Sequence, residues 1–582
     1  MLAAALAAAT ASTAATPPTT PPTAALATPP STPAPPALAT PPALAPARHI
    51  ELKLRADSLW AARNRKGAAP LYRQIVDDSP ADGESRFRLA AGLAALDRKG
   101  EAAVELQRCL AEGFVDAAQG AYQLAAAAAE AGRTDEALDG LDRALAARLG
   151  DRAALQSSDS FTALHDNPRF RTQAAFLPPE VTDRRAGWAY DLDFFLSEAR
   201  RLHAGPDRPA FAPAFQQAIE GLKARVDGLD DLGMALELQK LVVAHLADGH
   251  SVVYPVPTPR VDFGGVLPVR FYAFSDGLYV IAAEPAQAAL VGRRVTAIGG
   301  KPVAALLDGL TPLISRDNDQ GLLWLGPLYL RFPALLRALG AAESIAGATL
   351  TLAAGDQPGE QTEDVTLATL PIDNSSQRLV APPEGPPPAW LSRPDANYWH
   401  AERPDLNAWY AQFNQVQNAE QGPSVAQWVE SLRGDMAAHP RPNLILDLRH
   451  NNGGNNNLIW PLVRLAAWHE MSDPAHRTWV ITGRGTFSAA QDLVNFLDRA
   501  TNAIFLGEPA ASRPNFTGED TPVQLPWSRV RMSISSRYWQ DAPPGDRRRY
   551  VPVAMPVTLS AADWRANRDP VLEELGKYLR RR

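Results

Sequence analysis

The chain has 582 residues, more than one ordinary hydrophobic core holds, which predicts two to four domains. The formal net charge is −7 and no window combines dense Lys/Arg with interleaved aromatic residues, which argues against a nucleic acid as partner. No apolar run of about 18 residues or more lacks charge, so the sequence predicts no membrane-spanning helix.

Residues 1–47 consist almost entirely of Ala, Pro, Thr, Ser and Leu. Such a segment buries too little apolar surface to offset its ordering entropy, so we expect it to be disordered. Residues 1–15 are similar to the apolar part and cleavage site of a secretory signal, although the basic start is missing. This favours a periplasmic or secreted protein, and a cytoplasmic protein with an Ala-rich linker is the alternative.

Apolar residues recur at helical spacing through residues 48–180, and a short turn pattern returns at 64–69, 97–102 and 132–137. The starts of these turns are 33 and 35 residues apart. This period is typical of tetratricopeptide repeats, an all-α array that could bind a protein partner. A plain helical bundle without a binding groove is the alternative. The only cysteine, Cys109, lies in this region and has no internal partner for a disulfide.

Residues 186–255 again show a helical pattern, which ends at Asp-Gly-His-Ser, residues 248–251. Strand-like segments and Gly turns follow in residues 262–375, in an order that resembles a PDZ-like module. A Pro-rich connection at 384–395 separates this β-rich insert from the last region, residues 396–582.

Residues 443–448 form an apolar run that ends in Asp447 and Leu448. A turn that contains Gly453 and Gly454 follows this run. This pattern predicts a buried strand followed by a glycine turn. Paired glycines allow backbone N–H groups to face a bound carbonyl, as an oxyanion hole requires. A purely structural turn is the alternative.

A second predicted strand, 478–482, is broken by Gly483-Arg484-Gly485, and a helix opens after Ser488. The N-terminus of a helix stabilises developing negative charge, which suits a nucleophile. The alternative is that Ser488 only caps the helix, a common role of serine.

Together these motifs resemble the C-terminal processing (tail-specific) peptidase family. Residues 447–454, Asp-Leu-Arg-His-Asn-Asn-Gly-Gly, fit its Asp-Leu-Arg-x-Asn-x-Gly-Gly signature, and 487–491 look like its nucleophile motif. Residues 248–251 are similar to the Asp-Gly-His-Thr element of its tricorn-like branch, and 569–572 resemble its closing motif.

The resemblance spans roughly residues 186–580. It implies an α/β crotonase-like (ClpP/crotonase) hydrolase core with a helical cap and a PDZ-like β insert. It also implies a serine endopeptidase whose Ser488 attacks a polypeptide substrate and becomes acylated. Gly453, Gly454 and the Ala489 amide would form the oxyanion hole. We expect no cofactor, because no spaced His/Cys/Asp/Glu set and no phosphate-binding loop appears.

A serine hydroxyl needs a group that takes its proton, and this family uses a lysine or a histidine. The only lysine after Lys301 is Lys577, in a basic terminal run where a solvated helix end is expected. His250 is therefore the predicted general base, and His450 is the reserve candidate. His245 is expected to be a helix-face residue.

The tricorn-like branch orients its histidine with a Glu in an Asn-Gly-Val context, which this sequence lacks. Asp541, Asp546 and Glu508 are the candidate replacements, although charged residues in Pro/Gly-rich stretches are usually solvated. Two other functions stay open. The chain could be a weakly active or inactive peptide- or ligand-binding relative, or an esterase that uses the same serine.

Overall fold

A computed structural model describes residues 46–113, 117–355, 361–372 and 378–581 of the chain. The chain divides into two compact units between Glu180 and Val181. Except for its last two residues, the segment 1–47 with its signal-like start lies outside the described residues. None of the described helices is both long and apolar enough to cross a membrane.

The described part of the N-terminal unit is helical. Its helices are α1 (Pro46–Ala61), α2 (Arg65–Asp78), α3 (Gly83–Ala95), α4 (Lys99–Ala111), α5 (Ala117–Glu130), α6 (Thr134–Ala146) and α7 (Pro168–Gln173). The three predicted turns join α1 to α2, α3 to α4 and α5 to α6. One residue with positive φ lies at or just before each turn, namely Arg63 (59°), Asp97 (61°) and Gly132 (71°). A residue in the left-handed backbone conformation therefore follows the first helix of each pair.

Small residues let neighbouring helices of this unit approach closely. A β-carbon on Gly92 of α3 would lie 2.7 Å from the Ala69 β-carbon of α2, and one on Gly140 of α6 would lie 2.8 Å from that of Ala125 on α5. Separations this short exclude any larger side chain at either glycine without a shift of the helices. The recurring Ala and Gly residues thus set the spacing of the helices.

The second unit begins with three helices, α8 (Arg184–Leu202), α9 (Pro213–Lys223) and α10 (Asp231–His245). Asp183 caps α8 through a bond from the Ala186 N–H, and Asp230 caps α10 through one from the Gly233 N–H. After α10 the chain turns through residues 248–251 into the short strand β1 (Val252–Val253). The helical region therefore delivers the Asp-Gly-His-Ser motif directly to a sheet.

An antiparallel sheet follows, with strands in the order β2-β3-β4-β6-β7 and β5 paired to β4. The strands are β2 (Val269–Phe274), β3 (Gly277–Ala283), β4 (Arg294–Ile298), β5 (Lys301–Pro302), β6 (Gly347–Ala353) and β7 (Thr362–Ala368). Three helices lie between β5 and β6, namely α11 (Val303–Leu310), α12 (Gln320–Tyr329) and α13 (Pro333–Ala338). These strands and helices lie within residues 262–375.

The C-terminal part is built on a six-stranded sheet in the order β15-β12-β11-β10-β9-β8, in which only β8 and β9 pair antiparallel. Its strands are β8 (Tyr398–Arg403), β9 (Ala408–Phe413), β10 (Asn443–Asp447), β11 (Arg477–Thr482), β12 (Ile504–Gly507) and β15 (Met555–Pro556). All five residues of β10 are buried, as expected for a parallel strand covered on both faces.

One face of this sheet packs against α14 (Val425–Ala438), α15 (Trp460–Ser472) and α16 (Ala489–Ala500), and the other against α18 (Pro570–Leu579). The short helix α17 (Ala561–Arg565) precedes α18. A separate sheet pairs β1 with β14 (Arg531–Gln540) and β14 with β13 (Asn515–Gln524). Helices followed by mixed sheets thus make up the chain.

Candidate active site

Ser488 occupies a strained position between β11 and α16. Its φ is 56° and its ψ is −127°, and its side chain makes no capping hydrogen bond to α16. A non-glycine residue with such angles costs about 1 to 3 kcal/mol and persists where the surroundings impose it, often at functional sites. The hydroxyl is therefore not used as an N-cap, which removes the structural alternative for Ser488.

Gly453 lies against this serine. Its φ is +108°, and a β-carbon there would lie 2.7 Å from the Ser488 β-carbon and 3.0 Å from the Ala489 nitrogen. Only glycine permits this approach, so the glycine turn and the N-terminus of α16 meet at one point.

The backbone N–H groups around this point differ in whether they already donate a hydrogen bond within the protein. The Gly453 N–H donates to Asn451 Oδ1 at 3.0 Å, so it is occupied. The N–H groups of Gly454 and Ala489 have no hydrogen-bond acceptor in the described part of the chain. Two of the three predicted oxyanion donors are thus available to a ligand.

Arg449 connects the glycine signature to the closing motif of the chain. Its Nη2 donates to Asp447 Oδ2 at 2.6 Å and to Asp569 Oδ2 at 2.7 Å, and all three side chains are buried. Burial alone would lower the pKa of Arg449, but the two carboxylates raise it well above its ordinary value. This charged triad fixes the strand end from which the Gly453 turn departs.

The loop that carries His250 is organised around Asp248. Asp248 Oδ1 accepts hydrogen bonds from the His250 N–H (2.8 Å), the Ser251 N–H (2.6 Å) and the Ser535 hydroxyl (2.6 Å). Its Oδ2 lies 3.0 Å from His203 Nε2. Burial opposes the charge of Asp248, but these donors, led by His203, hold its pKa below the ordinary value.

The His250 ring is 4% exposed and stacks against the residue next to the nucleophile. Its centroid lies 4.4 Å from that of Phe487 at 24° between planes, and 5.7 Å from that of Phe516 at 14°. Neither ring nitrogen has a hydrogen-bond partner among the described residues. The His250 ring therefore contacts Phe487, the neighbour of Ser488, and makes no hydrogen bond to the Ser488 hydroxyl.

The reserve histidine, His450, lies in a different environment. Its ring stacks on Trp390 with centroids 5.0 Å apart, and burial lowers its pKa to about 3. His245 lies at the end of α10 and stacks on Phe215 at 5.1 Å, where burial lowers its pKa. Neither ring stacks on Phe487, the neighbour of Ser488.

The three acids that the sequence suggested for orienting His250 make their contacts with other side chains. Glu508 pairs with Arg484, and Asp546 Oδ2 lies 2.8 Å from Arg548 Nη2. Asp541 Oδ2 accepts from Asn495 Nδ2 at 3.2 Å. Since both ring nitrogens of His250 lack partners, none of the three hydrogen-bonds the imidazole in this structure.

Sequence reasoning did not single out Asp317, a buried carboxyl group whose Oδ1 accepts from the Gly249 N–H at 2.8 Å. It lies in a short polar stretch between α11 and α12, far along the chain from each motif. No local sequence signal marks it, because its contact with residue 249 forms only in the folded chain.

A cavity opens beside the site, at the carboxyl ends of β10, β11 and β12. Such a position is where ligands bind in open α/β sheets. Its walls combine aromatic rings, arginines and aliphatic groups, and include Tyr272, Trp324, Trp390, Arg449, Asn452 and Gly485. Trp324 also packs on Phe487 at 5.4 Å between centroids, so the cavity adjoins the residue before the nucleophile.

No family model and no curated protein matches this sequence. Among solved structures, the chain is similar to mature CPAF complexed with lactacystin, with 13% identity over 68% of this chain and 97% of that one and a TM-score of 0.47. The photosystem II D1 C-terminal processing protease gives 13% identity over 67% of this chain and 97% of that one, with a TM-score of 0.34.

The tricorn protease gives 12% identity over 69% of this chain and 37% of that one, with a TM-score of 0.34. At TM-scores below 0.5 the likeness by itself establishes no activity, so function is inferred from the site.

Proposed function

We propose that the chain is a serine peptidase of the C-terminal processing type, with Ser488 as nucleophile and His250 as general base. The observation that carries this proposal is the backbone of Ser488. A strained serine at a helix start, with its hydroxyl free of capping, lies against a glycine turn that only glycine can form.

In this mechanism the Ser488 Oγ attacks the carbonyl carbon of a peptide bond while His250 takes the hydroxyl proton. The N–H groups of Gly454 and Ala489 stabilise the tetrahedral oxyanion, and the imidazolium then returns its proton to the leaving amine. Water cleaves the resulting ester of Ser488, with His250 again acting as base. The Gly453 N–H, which is held by Asn451, contributes to the shape of the turn.

The missing Ser488–His250 hydrogen bond is compatible with catalysis, because such bonds are often long in ligand-free enzymes and tighten when substrate binds. The same observation also favours one other function. A chain whose base never engages the serine would bind peptides without cleaving them.

The finer architecture supports further proposals. We infer that the core is crotonase-like and that the insert, 262–375, is PDZ-like and contacts the polypeptide substrate. The three helical hairpins with their left-handed turns support a tetratricopeptide-like array that binds a protein partner. A periplasmic or secreted location is proposed from the signal-like start of the sequence.

The decisive experiment is labelling of the full chain with a fluorophosphonate probe, alongside hydrolysis of a peptide library. We expect the wild type to be labelled and Ser488→Ala to be neither labelled nor active. The variant should keep its fold, since no capping bond of Ser488 is lost. Peptide hydrolysis at the wild-type rate in Ser488→Ala would refute the nucleophile. A wild type that binds peptides without labelling or turnover would support the binding function, and cleavage of esters alone would support an esterase.

A further inference from the structure

Asp317 contacts the residue that precedes the proposed base. Its side chain is 4% exposed, and its Oδ1 accepts the Gly249 N–H at 2.8 Å. A β-carbon added to Gly249 would lie 3.1 Å from the same oxygen and 2.9 Å from Phe487 Cζ. The carboxyl group, the His250 loop and the ring beside the nucleophile therefore meet at one buried point.

The backbone around Asp317 is fixed by residues that follow β12 of the six-stranded sheet. Arg513 Nε donates to the Asp317 carbonyl at 2.6 Å. The next residue, Asn318, donates through Nδ2 to the carbonyls of Ala510 (3.0 Å) and Arg549 (2.8 Å). Asp317 and Asn318 are thus held in place by residues of the chain that follows β12.

Asp317 has hydrogen-bonding capacity that is not used. Its Oδ2 is buried and has no partner among the described residues, and the same is true of both ring nitrogens of His250. A buried acceptor and a buried donor without partners are costly, and one bond between them would satisfy both.

Asp248, the other buried carboxylate of this loop, differs in this respect. Both its oxygens are occupied, Oδ1 by two backbone N–H groups and the Ser535 hydroxyl and Oδ2 by Ser251 and His203. Asp248 therefore shapes the loop, while Asp317 has an oxygen left for the imidazole.

The charges around His250 fit an acid that pairs with it. Burial raises the pKa of Asp317 to about 6, and the charge of His250 acts in the opposite direction, as do the Gly249 N–H and the nearby Ser512 hydroxyl. The negative charge of Asp248 raises the pKa of Asp317 further. The charge of Asp520 on β13 also interacts with that of His250, but residue 520 is exposed at the surface whereas Asp317 is buried.

We propose that Asp317 is the positioning residue that orients His250 and stabilises its imidazolium, in the role for which the sequence suggested Asp541, Asp546 or Glu508. The inference rests on the proposed serine peptidase function. As one ring nitrogen takes the proton of the Ser488 hydroxyl, the N–H at the other donates to Asp317 Oδ2, and Asp317 stays ionised throughout. The imidazole plane lies at 24° to the Phe487 ring and at 14° to the Phe516 ring, so these two rings restrict its tilt.

The test compares Asp317→Asn with the wild-type full chain. Asparagine keeps the oxygen that accepts the Gly249 N–H but removes the charge, so we expect the protein to fold. We expect kcat to fall by about 10²- to 10⁴-fold, as loss of an orienting acid does in other serine hydrolases. The acid limb of the kcat/KM profile should move to lower pH, because the amide no longer stabilises the imidazolium.

Asp319→Asn is the matched control, since Asp319 lies two residues away, is exposed and pairs with Arg549 at 2.6 Å. We expect its rate and pH profile to equal those of the wild type. A second variant, Asp317→Ala, leaves a small buried space, and added formate should restore part of its rate by supplying the missing carboxylate.

A near-normal kcat with an unchanged acid limb in Asp317→Asn would overturn the proposal, even if formate affected Asp317→Ala. A loss in Asp317→Asn that follows loss of folded protein, with no rescue of Asp317→Ala by formate, would equally assign Asp317 a structural role. If the wild type is labelled at Ser488, either of these two results contradicts the role of Asp317 but not the peptidase function. A wild type without Ser488-dependent labelling would instead refute the proposed function.

Discussion

Replacing Gly453 with alanine tests whether the glycine turn and the nucleophile form one site. The added methyl group would lie 2.7 Å from the Ser488 β-carbon, whereas carbon atoms in contact prefer about 3.5 to 4.0 Å. One of the two segments must therefore shift by roughly 1 Å. The φ of +108° adds strain of about 1 to 3 kcal/mol for any side chain at this position.

A displacement of this size at a reacting centre costs about 10²-fold in rate, and loss of an oxyanion donor costs about 10²- to 10³-fold. We therefore expect Gly453→Ala to lower kcat by about 10²- to 10³-fold. The free energy of unfolding should fall by about 1 to 3 kcal/mol, measured by urea denaturation. Initial rates of peptide hydrolysis and of fluorophosphonate labelling give the functional effect.

Gly434→Ala is the matched control. Gly434 lies inside α14, and an added β-carbon there meets no atom within 4 Å. Alanine should raise helix stability there by about 0.5 to 1 kcal/mol and leave the rate unchanged. If Gly453→Ala were labelled and turned over substrate as fast as Gly434→Ala, the close approach at Ser488 would have no role in catalysis.

The remaining expectations concern the histidines and the helical unit. His250→Gln should reduce the rate of peptide hydrolysis by orders of magnitude, because the serine hydroxyl then lacks its proton acceptor. Near-normal turnover in His250→Gln together with loss in His450→Gln would transfer the role of base to His450. Burial lowers the pKa of His450 from 6.5 to about 3, so the unfolded chain takes up a proton first. Stability that depends on this neutral ring is therefore present above about pH 6.5 and lost as pH falls towards 3, and acid denaturation curves of His450→Gln should show less of this loss. A fragment of residues 46–180 should give a strongly helical circular dichroism spectrum, and a coil or mostly strand spectrum would contradict the repeat prediction.

Local patterns predicted the parts of the site that depend on neighbouring residues. The apolar run before Asp447 forms the buried strand β10, and the Gly-rich break after β11 places Ser488 at a helix start. The turn patterns of the N-terminal region also predicted where its helices begin. In each case the signal is the spacing of apolar residues and glycines within about ten residues, which backbone geometry fixes directly.

The sequence was less informative about which of the two glycine N–H groups has no hydrogen-bond acceptor within the protein. Gly453 and Gly454 are equivalent as glycines, but the Asn451 side chain takes the N–H of the residue two positions on, a bond that Asn often makes in turns. The pattern Asn-x-Gly at 451–453 contains this information, so the occupied donor could have been predicted. The Asp317 contact could not, since no periodicity relates residues 249 and 317.

The proposed nucleophile and the proposed base are attached to different sheets, so their separation depends on how these two sheets pack. Ser488 is positioned by α16 on the six-stranded sheet, whereas His250 is held by Asp248 and by the Ser533 hydroxyl of β14, which donates to its carbonyl at 2.6 Å. A hydrogen bond between them therefore depends on how the β1-β14-β13 sheet sits on the core as well as on side-chain rotation. The stacked Phe487 ring lies between these supports, next to Ser488 in the chain and 4.4 Å from the imidazole. Trp324 lines the cavity and its ring lies 5.4 Å from that of Phe487, so the cavity wall and the stacked imidazole are linked through the Phe487 ring.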